Sequence, residues 1–155
     1  MGPDRSAPGE TSGDHDRFVA HGLALVDAVD VAIEGWVVAA VRARAHGLDI
    51  QAADAAVRCR HDIVPRLRAL VVLDLDSQPT TPLEILRNAG SYPTAVLAAA
   101  GVAPIRRDDF DERRDPDDVY GVAPVAFADL GAAVGAAGIV WGAAKAHVHL
   151  ARRRR

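Results

Sequence analysis

Apolar residues recur three or four positions apart over two long stretches of the chain, which is the period of an α-helix. The first stretch, residues 18–46, gathers its larger apolar side chains on one broad face: Phe18, Leu25, Val26, Val29, Ile33, Trp36, Val37 and Ala40. The second stretch, residues 49–75, keeps the spacing on both sides of Pro65: Ile50, Ala53, Val57, Val64, Leu67 and Val71. Because the phase survives the proline, the pattern predicts one kinked helix rather than two.

A short turn joins these two helices. Gly47 suits the left-handed conformation that follows many helices, and Asp49 is the predicted cap of the second helix. Asp62 and Arg66 lie one turn apart in the order that favours an ion pair on a helix surface. Two long helices with so short a connection predict an antiparallel hairpin.

Opposite charges are predicted to face each other across this hairpin. With the turn centred near residue 47, facing positions have numbers that add to about 94. Glu34 then faces Arg60, and Asp27 faces Arg68, with Asp30 on the same stripe of the first helix. We therefore interpret these five residues as structural ion pairs.

The C-terminal half contains shorter elements. Thr81-Pro82-Leu83-Glu84 has the spacing of a capping box, and residues 82–101 are predicted to form two short helices. Residues 106–118 carry eleven charges, which predicts a surface loop. The glycines at 131, 135, 138 and 142 would form one smooth helical face, but glycine disfavours helix. We therefore place the first three in a loop and expect regular helix over residues 137–151.

The predicted fold class is all-α. A long antiparallel hairpin, two short helices and a C-terminal helix make a small helical bundle, with residues 18–151 as its single domain. Residues 1–17 are polar and lack apolar periodicity, which predicts a disordered lead. Residues 152–155 form a basic tail.

Three segments of the C-terminal half form a distinctive signature: TPLEILRNAGSYPTAVLAAAGVAP, PDDVYGVAP and IVWGAAKAHVHLARRRR. With them, residues 81–155 resemble a group of small uncharacterised proteins of high-GC Gram-positive (actinobacterial) bacteria. The resemblance implies no activity, cofactor or substrate, and the hairpin lies outside it.

Charge and composition narrow the possible functions. The net charge is −3, to which the four terminal arginines contribute +4, so the rest of the chain stands at −7. An acidic body argues against a broad nucleic-acid surface. Cys59 is the single cysteine, so the chain can form neither an internal disulfide nor a thiolate metal site.

No catalytic or cofactor motif stands out. The sequence contains no G-x-G-x-x-G, no phosphate-binding G-x-x-x-x-G-K-[ST] and no Glu-x-x-His. Cys59 and His61 lie two positions apart on a predicted helix and therefore point away from each other. We expect no enzyme activity, no cofactor and no metal site, although Tyr92, Trp141, Lys145 and His147 could converge in space.

Neither a membrane span nor an export signal is predicted. The uncharged run from Leu130 to Ala144 has fifteen residues, fewer than a bilayer requires. The first seventeen residues lack the apolar segment of a signal peptide. A cytoplasmic location is therefore expected.

The apolar face of residues 18–41 exceeds what one hairpin can cover, which predicts a homo-oligomer or a protein partner on that face. We therefore expect a small, non-enzymatic interaction or adaptor protein. The first alternative is a nucleic-acid-associated factor that makes weak, non-specific contacts through Arg152, Arg153, Arg154 and Arg155. The second alternative is a metal-binding or enzymatic helical bundle.

Overall fold

The computed structural model describes residues 7–73, 80–105 and 118–154, with side chains from residue 13 onward. Within these ranges the protein is helical and has no strands, which confirms the predicted fold class. The α-helices follow in chain order: α1 Ala7–Arg42, α2 Asp49–Val71, α3 Pro82–Asn88, α4 Ser91–Ala99 and α5 Ala132–Arg153. A short 3-10 helix, Phe127–Leu130, precedes α5.

The central helix is α1. It packs against α2 and against α5, while α3 and α4 pack on α2 and the 3-10 helix packs mainly on α5. Buried residues at helical spacing along α1 form the middle of the core: Phe18, Leu25, Val26, Val29, Ile33, Val37 and Val41. Since α5 lies on α1, it covers part of the apolar face of residues 18–41 that the hairpin alone leaves open.

The first helix starts at Ala7, well before the predicted start at residue 18. Phe18 is buried against an aromatic ring of α5 and anchors this end of the bundle. One turn earlier, Asp14 Oδ1 lies 3.7 Å from His147 Nε2 of α5. These two contacts join α1 to α5 at residues 14 and 18. Residues 7–17 are helical, where disorder was predicted for residues 1–17. The residues before Ala7 lie outside the described ranges.

The second helix runs through Pro65, and the turn before it places Gly47 at φ +78°, both as predicted. Asp49 does not cap this helix, because Leu48 occupies the cap position without a side-chain hydrogen bond. The Asp49 carboxylate instead accepts a hydrogen bond from Arg42 Nε at 3.1 Å. This bond joins the end of α1 to the start of α2.

The two short helices lie where they were predicted. Thr81 Oγ1 accepts a hydrogen bond from the backbone N–H of Glu84 at 3.2 Å, so the predicted cap of α3 is present. Leu86 of α3 and Leu97 of α4 are fully buried. These two helices thereby close the side of the core formed by α2.

The last helix begins at Ala132 rather than at residue 137. A Cβ atom on Gly138 would lie 2.7 Å from Phe127 Cγ and 2.9 Å from Phe127 Cβ, and one on Gly135 would lie 3.1 Å from Ala128 Cβ. Gly135 and Gly138 thus form the smooth helical face on which the 3-10 helix packs. This packing outweighs the low helix propensity of glycine, and the prediction of a loop through residues 132–136 is wrong.

Asp118 belongs to the predicted surface loop 106–118, but it is buried. Its two carboxylate oxygens accept hydrogen bonds from the backbone N–H groups of Val122, at 2.9 Å, and Ala123, at 3.0 Å. A carboxylate that receives such bonds can be buried, so the prediction of surface exposure is wrong at this residue. The other predictions for 74–75, 106–117 and Arg155 fall outside the described residues.

Candidate functional site

A ladder of ion pairs crosses from α1 to α2. Arg60 Nε donates a hydrogen bond to Asp30 Oδ1 at 2.7 Å, and Arg60 Nη1 lies 3.6 Å from Glu34 Oε2. Farther along the hairpin, Arg68 Nη2 lies 3.8 Å from Asp27 Oδ1. Both predicted facing pairs are therefore present, and Asp30 adds the shortest contact.

The charged side chains of this ladder form ion pairs with one another at the surface. The hydrogen bond from Arg60 lowers the pKa of Asp30 below its usual 3.8, and the same bond raises the pKa of Arg60. Partly exposed pairs of this kind add little to stability but fix which side chains face each other. Among the described residues, no three His, Cys, Asp or Glu side chains are grouped so that they could hold a metal ion.

An apolar trough lies in the same crevice, beside the ladder. It has a volume of 730 Å³ and lies open to solvent, and small or apolar side chains from both helices line it: Gly35, Val38, Ala39, Ala53, Ala56 and Val57. Its lining along α1 includes two charged side chains: Glu34, which contacts Arg60, and Arg42, which contacts Asp49. From residue 34 to residue 42 the trough spans about 12 Å, at 1.5 Å per helical residue. We call this feature the α1–α2 trough.

The trough exists because α2 presents a different face to the core than the sequence predicts. Ile50 and Val57 were expected on the buried stripe, but their exposed fractions are 83% and 45%, and Ala53 is exposed as well. The buried stripe of this half of α2 consists of smaller residues: Ala52, Ala55, Ala56 and Cys59. These side chains let α1 and α2 approach closely, which leaves the larger aliphatic groups in solvent.

A second polar contact ties α4 to α2. The Tyr92 hydroxyl donates a hydrogen bond to the Asp62 carboxylate, for which the sequence had indicated Arg66 as partner. Desolvation and this hydrogen bond raise the pKa of Tyr92 to about 12. Burial, together with the charge of Asp62, raises the pKa of the Cys59 thiol to about 12. Cys59 is therefore protonated at neutral pH, which suits a packed thiol and not a nucleophile.

The four residues considered as a possible pocket do not converge. Lys145 Nζ lies 5.2 Å from the centre of the Trp141 ring, and the buried Trp141 ring packs on Phe18. His147 is exposed at the far end of α5. Tyr92 lies on α4, where it contacts α2.

Smaller cavities lie elsewhere in the described part of the chain. One of 380 Å³ lies between α2 and α4, with Gln51, Asp54, Arg58 and Val96 among its lining residues. Another of 220 Å³ lies beside Trp36. Arg58 already lies 3.5 Å from Asp54, so that polar pair of the larger cavity is engaged within the protein.

The terminal arginines continue a helix rather than forming a separate tail. Arg152 and Arg153 belong to the last turn of α5, and Arg154 is its C-terminal cap residue. Arg153 and Arg154 are exposed, and Arg155 lies outside the described residues. Their positive charges lie at the negative end of the helix dipole, where they stabilise the helix.

Comparison with known proteins gives no assignment. No protein-family model, no curated protein and no solved structure matches the chain. The resemblance of residues 81–155 to small actinobacterial proteins therefore stays a prediction. In the described part of the chain, no helix is both long and apolar enough to cross a membrane.

Proposed function

We propose that this protein is a small, non-enzymatic interaction protein that binds a partner in the α1–α2 trough. The observation that carries the proposal is the outward placement of Ala53 and Val57 along a trough that no described part of the chain fills. Single exposed aliphatic residues are ordinary, but here they lie beside a continuous apolar depression. This surface replaces the whole face of residues 18–41 as the candidate interface.

The shape and charge of the trough define a partner. Its lining residues Gly35, Ala39 and Ala53 are small, so the backbone of another helix can approach closely. About 12 Å accommodates two helical turns with apolar side chains on one face. Each end of the trough carries one acidic and one basic side chain. A partner helix that has a charged residue of either sign at its ends therefore fits.

A matched pair of substitutions tests this proposal. Val57→Glu places a carboxylate in the trough, whereas Val72→Glu makes the same change at the C-terminal cap residue of α2, which does not line the trough. The exposed fractions of the two side chains are similar, 45% for Val57 and 47% for Val72. A protein that co-purifies with the tagged chain is purified and its affinity measured by calorimetry. We expect Val57→Glu to weaken binding tenfold or more, about 1.4 kcal/mol, and Val72→Glu to leave it unchanged. Equal affinity of both variants would contradict the proposal.

A nucleic-acid-associated role is the second candidate, because Arg153 and Arg154 are exposed side by side at the end of α5. Four phosphate contacts would give a slope of about −3.6 in log affinity against log salt on duplex DNA. Removal of residues 152–155 should abolish that slope. If the truncated protein binds duplex DNA as tightly as the full chain, the arginines are not the binding site.

A further inference from the structure

The last helix presents a second apolar face to solvent. Its inner face, which includes Val134, Trp141 and Val148, is buried in the bundle. On the outer side, Ile139 is 75% exposed and Leu150 is 53% exposed. No charged residue occurs from 132 to 144, so this outer surface is apolar over more than three turns. A helix that is apolar on opposite sides is normally covered on both.

The outer residues follow a heptad pattern. Their spacing alternates between four and three along the whole helix, and all are exposed: Ala132, Ala136, Ile139, Ala143, Ala146 and Leu150. This spacing is the seam of a two-helix coiled coil, in which an apolar stripe of one helix packs into the same stripe of another. The face is therefore arranged to receive a helix lying along α5.

We propose that α5 pairs in antiparallel orientation with α5 of a second copy of this chain. A parallel pair would bring the Arg152, Arg153 and Arg154 side chains of both copies together, and like charges in contact oppose association. In the antiparallel pair the two Arg153 residues lie about 36 Å apart along the helix axis, at 1.5 Å per residue. Each then approaches the N-terminal end of the other α5, where the acidic Asp129 is exposed.

One register makes the two surfaces complementary. When facing positions have numbers that add to 282, each large side chain of the stripe meets an alanine of the other copy: Ile139 faces Ala143, and Leu150 faces Ala132. The same register places Arg153 opposite Asp129. The two contacts of a large with a small residue, and the opposite charges at the ends, favour a second copy as the occupant.

A membrane surface fits this face less well. Helices that lie in a lipid interface bury aromatic and large aliphatic side chains, whereas most residues of this stripe are alanine. Trp141, the aromatic residue of α5, is buried inside the bundle. The apolar stripe has the composition of a close helix–helix contact.

Sedimentation analysis of the full chain over a wide concentration range tests the pairing. We expect a dimer for the wild type and a monomer for Ile139→Glu, because the dimer would bury two carboxylates near its axis. Leu150→Glu should have the same effect. Val57→Glu, on the α1–α2 trough, should remain dimeric, which separates this surface from the proposed partner site. Circular dichroism establishes that each variant is folded. A monomeric wild type, or an Ile139→Glu variant that still dimerises, overturns the proposal.

The orientation is tested by distance. Spin labels on His149→Cys, in a Cys59→Ala background, lie about 24 Å apart along the axis in the antiparallel register, against about 10 Å between axes in a parallel pair. A short distance overturns the orientation. Binding of the wild type to phosphatidylserine vesicles as a monomer, lost in Ile139→Glu, would assign the face to lipid and overturn the proposal.

Discussion

Replacement of Gly138 by alanine sets two opposing effects against each other. Alanine favours helix over glycine by about 1 kcal/mol in a helix interior. At this position, however, the new Cβ would lie 2.7 Å from Phe127 Cγ and 2.9 Å from Phe127 Cβ. Rotation of the ring cannot relieve the second contact, because the Cβ of Phe127 is fixed to its backbone. The 3-10 helix must therefore move away from α5.

The size of this clash follows from a matched reference. Gly35 lies in the interior of α1, and a Cβ there would meet nothing within 4 Å. Gly35→Ala should raise the free energy of unfolding by about 1 kcal/mol through helix propensity alone. Gly138→Ala gains the same propensity but overpacks a contact, which destabilises proteins by about 1–3 kcal/mol. We therefore expect Gly138→Ala to be less stable than Gly35→Ala by about 1–3 kcal/mol.

Urea unfolding followed by circular dichroism, at equal protein concentrations, measures this difference. A Phe127→Ala change removes the Cγ and ring atoms but keeps the Cβ, so it should abolish part of the penalty of Gly138→Ala in the double variant. If Gly138→Ala is as stabilising as Gly35→Ala, the 3-10 helix does not pack on α5 as described. Equal effects of Gly138→Ala with and without Phe127 would refute the steric explanation.

Three further predictions concern titratable groups. Tyr92→Phe should lower the free energy of unfolding by about 1 kcal/mol at neutral pH, because the hydrogen bond to Asp62 is lost. Since the pKa of Tyr92 is raised to about 12 in the folded protein, the wild type should keep this advantage below pH 10 and lose it between pH 10 and 12. Arg60→Gln should raise the pKa of Asp30, measured by NMR titration. In the wild type, the contribution of the Asp30–Arg60 pair to the free energy of unfolding should be lost as the pH falls below about 4, and the variant should show no such loss. Cys59 should react with a thiol reagent slowly in the folded protein and rapidly in urea, since burial keeps its thiol protonated and inaccessible.

The pairing of α1 with α2 could be predicted because it depends only on the position of the turn and on the spacing of residues along the two helices. Once the turn lies near Gly47, the spacing of two antiparallel helices determines which positions face each other. Glu34 with Arg60 and Asp27 with Arg68 follow from numbering alone. The capped start of α3 was equally accessible, because Thr81 and Glu84 are local neighbours.

Other features depend on contacts between distant parts of the chain. The bond from Tyr92 to Asp62 joins residues thirty positions apart, and no local pattern indicates it. The early start of α5 depends on Phe127, which lies on the glycine face only after folding. Asp118 is buried because nearby backbone N–H groups donate hydrogen bonds to its carboxylate. A count of charges along the sequence does not reveal these bonds.

The face of α2 shows why periodicity alone is ambiguous in an alanine-rich chain. Alanines occur on most sides of the helix, so several stripes of apolar residues have the 3–4 spacing. The stripe with the large aliphatic residues is the buried one only if the core has room for those side chains. Here the close approach to α1 selects Ala52 and Ala55, and Ile50 remains in solvent.

The same argument bears on function. Large aliphatic residues that the core leaves outside do little for the folded monomer, and water opposes their exposure. On this protein Val57 lies along the α1–α2 trough, and Ile139 and Leu150 lie along the seam of α5. Neither surface shares a residue with the other, so one can hold two copies together while the other binds a partner. A protein arranged in this way would present two troughs per dimer, and each surface can be removed by one glutamate without affecting the other.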